Sequence, residues 1–139
     1  IDPDLVTRES TLADANFDKI AIANPETAPY GAAAIETMRA LGVHDTLAPR
    51  IVRGSNIAQA YQFVATGSAE LGFVALSQIA TVAGGSRWVV PQHLYAPISQ
   101  DAVILATASD NGTARHFMTF LEGPKARAII ARYGYGLAE

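Results

Sequence analysis

The chain has 139 residues, half of them apolar and 17% charged, with a formal net charge of −3. Length alone predicts one domain of ordinary size, and this hydrophobicity excludes a disordered chain. The 10 Lys and Arg are scattered singly, so no basic stripe exists to hold a phosphate backbone, and nucleic acid is excluded as a partner. Zero cysteines exclude disulfides, thiolate nucleophiles and Cys-based metal sites. No apolar run reaches the roughly 20 residues of a membrane-spanning helix.

In chain order, residues 1–17 read as polar and aperiodic, the tail of a connection. Lys19-Ile20-Ala21-Ile22-Ala23 is a short apolar run closed by Asn24-Pro25, which predicts a buried strand entering a loop. Pro25 and Pro29 bracket that loop and should hold it extended. Ala34, Met38 and Leu41 then recur at helical spacing, and Gly42 stands where a left-handed C-terminal cap belongs. The same order repeats. Arg50-Ile51-Val52-Arg53 predicts a strand, Gly54-Ser55-Asn56 a turn, and Ile57, Tyr61 and Val64 one face of a helix that Gly67 ends. Leu71-Gly72-Phe73-Val74-Ala75 predicts a third strand, followed by a short helix over 77–83 and a turn at Gly84-Gly85. Trp88-Val89-Val90 predicts a fourth strand. Strands alternating with helices imply an α/β sheet, mostly parallel and flanked by helices.

Beyond Pro97, Asp101-Ala102-Val103-Ile104-Leu105 predicts one more strand, and two helices follow it. The first carries Ala114, Phe117, Met118 and Leu121 on one face. The second begins at Pro124, carries Ala126, Ile129, Ile130 and Tyr133, and stops at Gly134.

The chemistry-bearing motifs are sparse. His44 follows a helix cap in a loop, His93 follows Pro91-Gln92, and His116 lies on the polar side of its helix. None pairs with another His at i, i+4, so all three read as surface histidines. No nucleophile elbow, phosphate loop or dinucleotide fingerprint occurs. Ser77 reads as a helix cap, and Asp110-Asn111-Gly112 as the opening of a helix rather than a glycosylation site. The chain reads as a non-enzyme.

Two strand-to-helix junctions carry more. In Pro29-Tyr30-Gly31 a helix begins after an extended loop, and Gly31 lets another group approach closely. In Ser55-Asn56-Ile57 either polar side chain can cap the next helix. The first turn of a helix has amide donors without internal partners, and its dipole adds positive character. Two such ends facing one crevice form an anion site that needs no Lys or Arg. Both junctions belong to the carboxyl edge of a parallel sheet, where ligands bind.

At these residues the chain resembles the periplasmic molybdate-binding proteins of ABC importers. The resemblance is carried by Ile20-Ala21-Ile22-Ala23-Asn24-Pro25, Ala28-Pro29-Tyr30-Gly31, Asn56-Ile57-Ala58-Gln59-Ala60 and Gly72-Phe73-Val74-Ala75-Leu76-Ser77. It continues through Trp88-Val89-Val90-Pro91, Ile98-Ser99-Gln100-Asp101, Phe120-Leu121-Glu122-Gly123-Pro124 and Arg132-Tyr133-Gly134-Tyr135-Gly136. It implies a two-lobed solute receptor of the periplasmic-binding-protein type II fold. Such a receptor closes on molybdate or tungstate, holds no cofactor and delivers its ligand to a membrane permease. Carried across by motif, the backbone amides of Tyr30 and Ile57 are the oxyanion donors, with Asn56 and Gly31 as further candidates and no metal directly coordinated. Some members of that family place a small residue at position 30 and a tyrosine at position 75. This chain has Tyr30 and Ala75, which excludes a hydroxyl from position 75.

The same resemblance implies an organisation. Residues 1–17 are a connection from a first lobe expected before Ile1, and 18–97 are the second lobe with half of the oxyanion site. Residues 98–139 are a return strand and two helices of the first lobe. The apolar stripes of those helices are expected to fold onto the second lobe or onto another copy of the chain. An alternative is the effector-binding domain of a transcription regulator with the same lobe architecture.

Overall fold

A computed structural model describes residue 6 and residues 10–136. The described chain forms two compact units, one ending at Ile98 and the other starting at Ser99, where length alone predicts one.

The first unit is built on β1 (Ile20–Ala23), β2 (Ile51–Gly54) and β3 (Leu71–Gly72). They form a parallel sheet in the order β2-β1-β3. The predicted first two strands are both present. The third is cut to two ladder residues, although the Phe73 amide still donates to the Ala21 carbonyl at 2.9 Å. Around the sheet lie α1 (Ser10–Asp14), α2 (Pro29–Ala40), α3 (His44–Leu47), α4 (Ile57–Ala65) and α5 (Leu76–Ile79).

Every residue of β1 is buried, as the central strand of a helix-covered sheet must be. Its Ile-Ala-Ile-Ala alternation gives the sheet two unlike faces. Ile20 and Ile22 join Leu71, Ala34, Met38, Leu47, Leu12 and Phe17 in one apolar cluster, which is the α2 side. Ala21 lies opposite Gly72, and a Cβ built on Gly72 would meet Val64 of α4 at 2.6 Å. The small face is therefore the α4 side. Successive right-handed crossovers, β1 to β2 and then back across to β3, require this division.

Local chemistry fixes the helix ends. Ala28, before Pro29, is extended (φ −129°, ψ 122°), and Pro29 takes the first helical position. Gly42 and Gly67 adopt φ of 70° and 73° at the ends of α2 and α4, where a Cβ would be strained.

Several expectations are corrected. Residues 10–14 form a helix rather than a bare connection, because Leu12 and Phe17 are buried in the core (each 6% exposed). Arg50 ties that segment down, donating from Nη1 to the carbonyls of Ala15 (2.6 Å) and Phe17 (2.5 Å). The loop after β1 is a tight turn, not an extended run. Asn24 Oδ1 accepts from Glu26 N at 3.1 Å, and the Asn24 carbonyl accepts from Ala28 N at 2.9 Å. His44 opens α3 instead of lying in a loop, with Nδ1 2.9 Å from Asp45 Oδ1.

Trp88-Val89-Val90 forms no ladder. Trp88 packs against the core cluster while Val89 points to solvent, so strand-like alternation persists without a pairing partner. Pro91, which has no amide donor, follows directly.

The second unit contains α6 (Gly112–Glu122) and α7 (Pro124–Arg132). Asn111 caps α6, accepting from the amides of Thr113 (3.0 Å) and Ala114 (3.2 Å), which is the opening role read for Asp110-Asn111-Gly112. α7 begins at Pro124 and is followed by Gly134 at φ 83°. The strand expected at 101–105 is absent. Val103 is 79% exposed, and no described segment offers it the amides and carbonyls that a ladder requires. On the stripes of these helices Phe117, Ile129 and Tyr133 are exposed. Phe117 instead stacks on its neighbour Phe120, with ring centroids 6.3 Å apart.

Candidate functional site

The register of the sheet brings the two predicted junctions together. Ala23, the last residue of β1, is opposite Gly54, the last of β2, and the Asn24 amide extends the pairing to the Gly54 carbonyl at 2.7 Å. The chain leaves both strands at the same carboxyl edge. α2 starts six residues after the end of β1, and α4 three residues after the end of β2. The β3–α5 junction leaves by that edge as well, because β3 is also parallel to β1.

Tyr30 is the second residue of α2 and is half-buried. Gly31, the third, does not admit an outside group. A Cβ there would lie 2.2 Å from the Ala23 carbonyl oxygen and 2.8 Å from the carbonyl carbons of Ala23 and Asn24. The close approach is therefore made by the chain's own strand end. The Gly31 amide donates to the Ala28 carbonyl at 2.9 Å, and Ala32 donates to the same oxygen at 3.2 Å.

Ile57 is the first residue of α4. Asn56, not Ser55, is the cap: it is extended, and its Oδ1 accepts from the Gln59 amide at 2.9 Å. The Gln59 side chain reaches one residue further back, its Oε1 accepting from Ser55 N (2.7 Å) and Ser55 Oγ (3.0 Å). Asn followed three residues later by Gln is a capping-box spacing, but only the Asn56 half of the box forms, the glutamine turning to Ser55 instead. The backbone carbonyl of Asn56 accepts from Ala60 N at 3.2 Å. Among the described residues no acceptor meets the amides of Ile57 or Ala58, the orphan donors that a helix start presents.

Ser77 is not a cap. α5 is preceded by Ala75, whose amide donates to Gln78 Oε1 at 3.0 Å, so a glutamine three residues on satisfies this end. Ala75 is buried and offers the site no polar side-chain atom.

The electrostatics are those of dipoles. Glu70 titrates below its ordinary value. Hydrogen bonds from its own amide and from Lys19 N (2.9 Å) hold it below the usual carboxylate range. His93 and His116 are exposed, and no group of three or more metal-ligating side chains gathers among the described residues. An anion at this edge would meet amide dipoles at two helix starts, the arrangement that binds oxyanions without formal charge.

A parallel α/β unit presenting helix starts at one carboxyl edge is the architecture of a ligand-binding lobe. The chain belongs to the bacterial extracellular solute-binding protein family, whose sequence profile matches residues 2–136. It is 50% identical over 134 residues to the molybdate-binding protein ModA of Rhodobacter capsulatus, covering 96% of this chain and 53% of that protein. It is 54% identical over 124 residues to ModA of Azotobacter vinelandii, covering 87% and 49%. The structure of an Azotobacter vinelandii periplasmic molybdate-binding protein superposes with a TM-score of 0.91 at 42% identity, over 99% of this chain and 62% of that one. The chain thus spans about half the length of the curated relatives it matches. These relatives are molybdate-binding proteins by name, and nothing in those names supports the regulator alternative.

Proposed function

We propose that this chain is the part of a periplasmic solute receptor that supplies half of the shell around a tetrahedral oxyanion, molybdate or tungstate. The ligand is bound for an ABC-type permease and is not chemically altered. The observation that carries this reading is the convergence of the α2 and α4 starts at one sheet edge, in a chain half-identical to molybdate-binding relatives. The backbone amides of Tyr30 and Ile57 are the donors. Asn56 holds the first turn of α4, and Gly31 seats the first turn of α2 on β1. Residues 18–97 act as one lobe, and 98–139 belong with the other. The exposed faces of α6 and α7 provide a surface for self-association, which light scattering against concentration reads directly.

Charge-assisted hydrogen bonds are worth roughly 1.5–3 kcal/mol each, so a site with half its donors is weaker by several powers of ten. Titration of the 15N-labelled 139-residue chain with sodium molybdate and sodium sulfate tests the site. Shifts of the Tyr30 and Ile57 amides are expected, with millimolar-range affinity and little preference between the anions. Unmoved amides at both positions overturn the assignment. Nanomolar, molybdate-selective binding would place the main donors elsewhere.

A further inference from the structure

One side chain ties the third junction to the second. Gln78, half-buried in α5, accepts at Oε1 from the Ala75 amide (3.0 Å) and donates from Nε2 to the Ile57 carbonyl (3.3 Å), 21 residues away in sequence. Its backbone amide also donates to the Ala75 carbonyl at 3.0 Å. The two partners fix the orientation of the carboxamide: an N–H must face the oxygen, and a carbonyl must face the nitrogen. We infer that Gln78 is a positioning residue that aims the leading amides of α4 from the β3–α5 junction.

The Ile57 carbonyl and the Ala58 amide are two ends of one planar peptide group. The helix bond of α4 turns this peptide along the axis, and a second donor on the same carbonyl steadies it, with the Ala58 N–H pointing the opposite way, out of the helix start. The same bond polarises the peptide and makes that N–H a stronger donor. On the other flank, Asn56 and Ser55 each bond Gln59 and so hold the turn. Those bonds set where α4 begins. The Gln78 bond ties that first turn to the β3–α5 junction and steadies its leading amides.

This inference rests on the oxyanion reading for its consequence, but not for its geometry. The test uses 15N-labelled wild type, Gln78→Leu and Gln78→Glu. Leucine removes both bonds, whereas glutamate keeps an acceptor for Ala75 and loses the donor to Ile57. Gln78→Leu should speed amide exchange at Ala75 at least tenfold and shift the Ala58 amide resonance. Gln78→Glu should shift Ala58 while Ala75 stays protected, a split that general loosening would not produce. With sodium molybdate as probe, Gln78→Leu should raise the apparent Kd about tenfold, or about 1.4 kcal/mol, because the Ala58 amide stands beside that of Ile57 as an unpartnered donor at the α4 start. An unmoved Ala58 amide in both variants overturns the positioning role, as does an unchanged Kd in Gln78→Leu. If wild type shows no molybdate-dependent shift, the oxyanion reading fails, and the Ala58–Ala75 split alone decides the role of Gln78.

Discussion

Replacing Gly31 by alanine tests how α2 is seated at the end of β1. The new Cβ would sit 2.2 Å from the Ala23 carbonyl oxygen and 2.8 Å from two backbone carbons. All three atoms belong to the central strand or the turn that leaves it, so none can swing aside as a side chain would. The first turn of α2 must withdraw by about 1 Å to restore a normal contact, loosening Ala34 and Met38 against Ile20 and Ile22. Overpacking of this kind costs roughly 1–3 kcal/mol, and a backbone collision belongs at the top of that range. Alanine's better helix propensity returns about 1 kcal/mol, leaving a net loss of about 2 kcal/mol. For a unit of this size that corresponds to a fall in Tm of roughly 10 °C. Urea unfolding followed by Trp88, the only tryptophan and packed against this core, reads the first unit directly. Gly42→Ala is the control: it has open space around it but φ of 70°, so it should cost about 1 kcal/mol from backbone strain alone. A Gly31→Ala variant as stable as wild type, or more stable than Gly42→Ala, would refute the close-approach argument.

Asn56→Ala should destabilise the first unit by about 1 kcal/mol, because the Gln59 amide loses its acceptor, while Asn56→Asp should retain most of the stability; urea midpoints at constant m-value check both. Glu70 titrates below its ordinary value in the folded chain, so its contribution to stability is present above pH 4.5 and is lost as the pH falls through the depressed native value. The stability gap between wild type and Glu70→Gln should therefore be widest near neutrality and should close in acid, as read from urea midpoints across a pH series.

The parts of the fold that could be read in advance are those in which a local signal and a tertiary need coincide. Ile20-Ala21-Ile22-Ala23 is apolar because both its faces are covered, and Gly42 and Gly67 are glycines because those helix ends need positive φ. The segments at 88–90 and 101–105 mislead for the opposite reason. Their β-branched residues fit an extended backbone, but a strand is defined by its partner, and none of the described residues supplies one. At the candidate site, the helix starts were legible, as was the edge they share, while the cap of α4 could be narrowed only to Ser55 or Asn56. Gly31 was recognised as a close-approach glycine, yet nothing local could say that the approaching group is the carbonyl of Ala23. Gln78 left no signal at all, because a single glutamine in a four-residue helix has no periodicity and its second partner lies 21 residues upstream.

The unlike faces of β1 explain how so weakly charged a chain can offer the proposed anion a defined site. Ile20 and Ile22 give α2 a deep apolar bed, so this helix is held mainly along its length by Ala34 and Met38. Its first turn reaches the strand end only because position 31 has no side chain. On the other face Ala21, Ala23 and Gly72 are too small to hold a helix at a distance. α4 therefore rides close to the sheet, with Val64 over Gly72 and its Ala60 amide against Gly54, where a Cβ would stand 2.8 Å away. The two helices reach the same edge by different means, one through a single glycine and the other through a whole face of small residues. In both cases close backbone packing, rather than a lysine or arginine, sets the position of the leading amides. Donors fixed in this way carry no formal charge to desolvate and no long side chain to order, so the dipole of each helix start stays directed at the proposed ligand before it arrives.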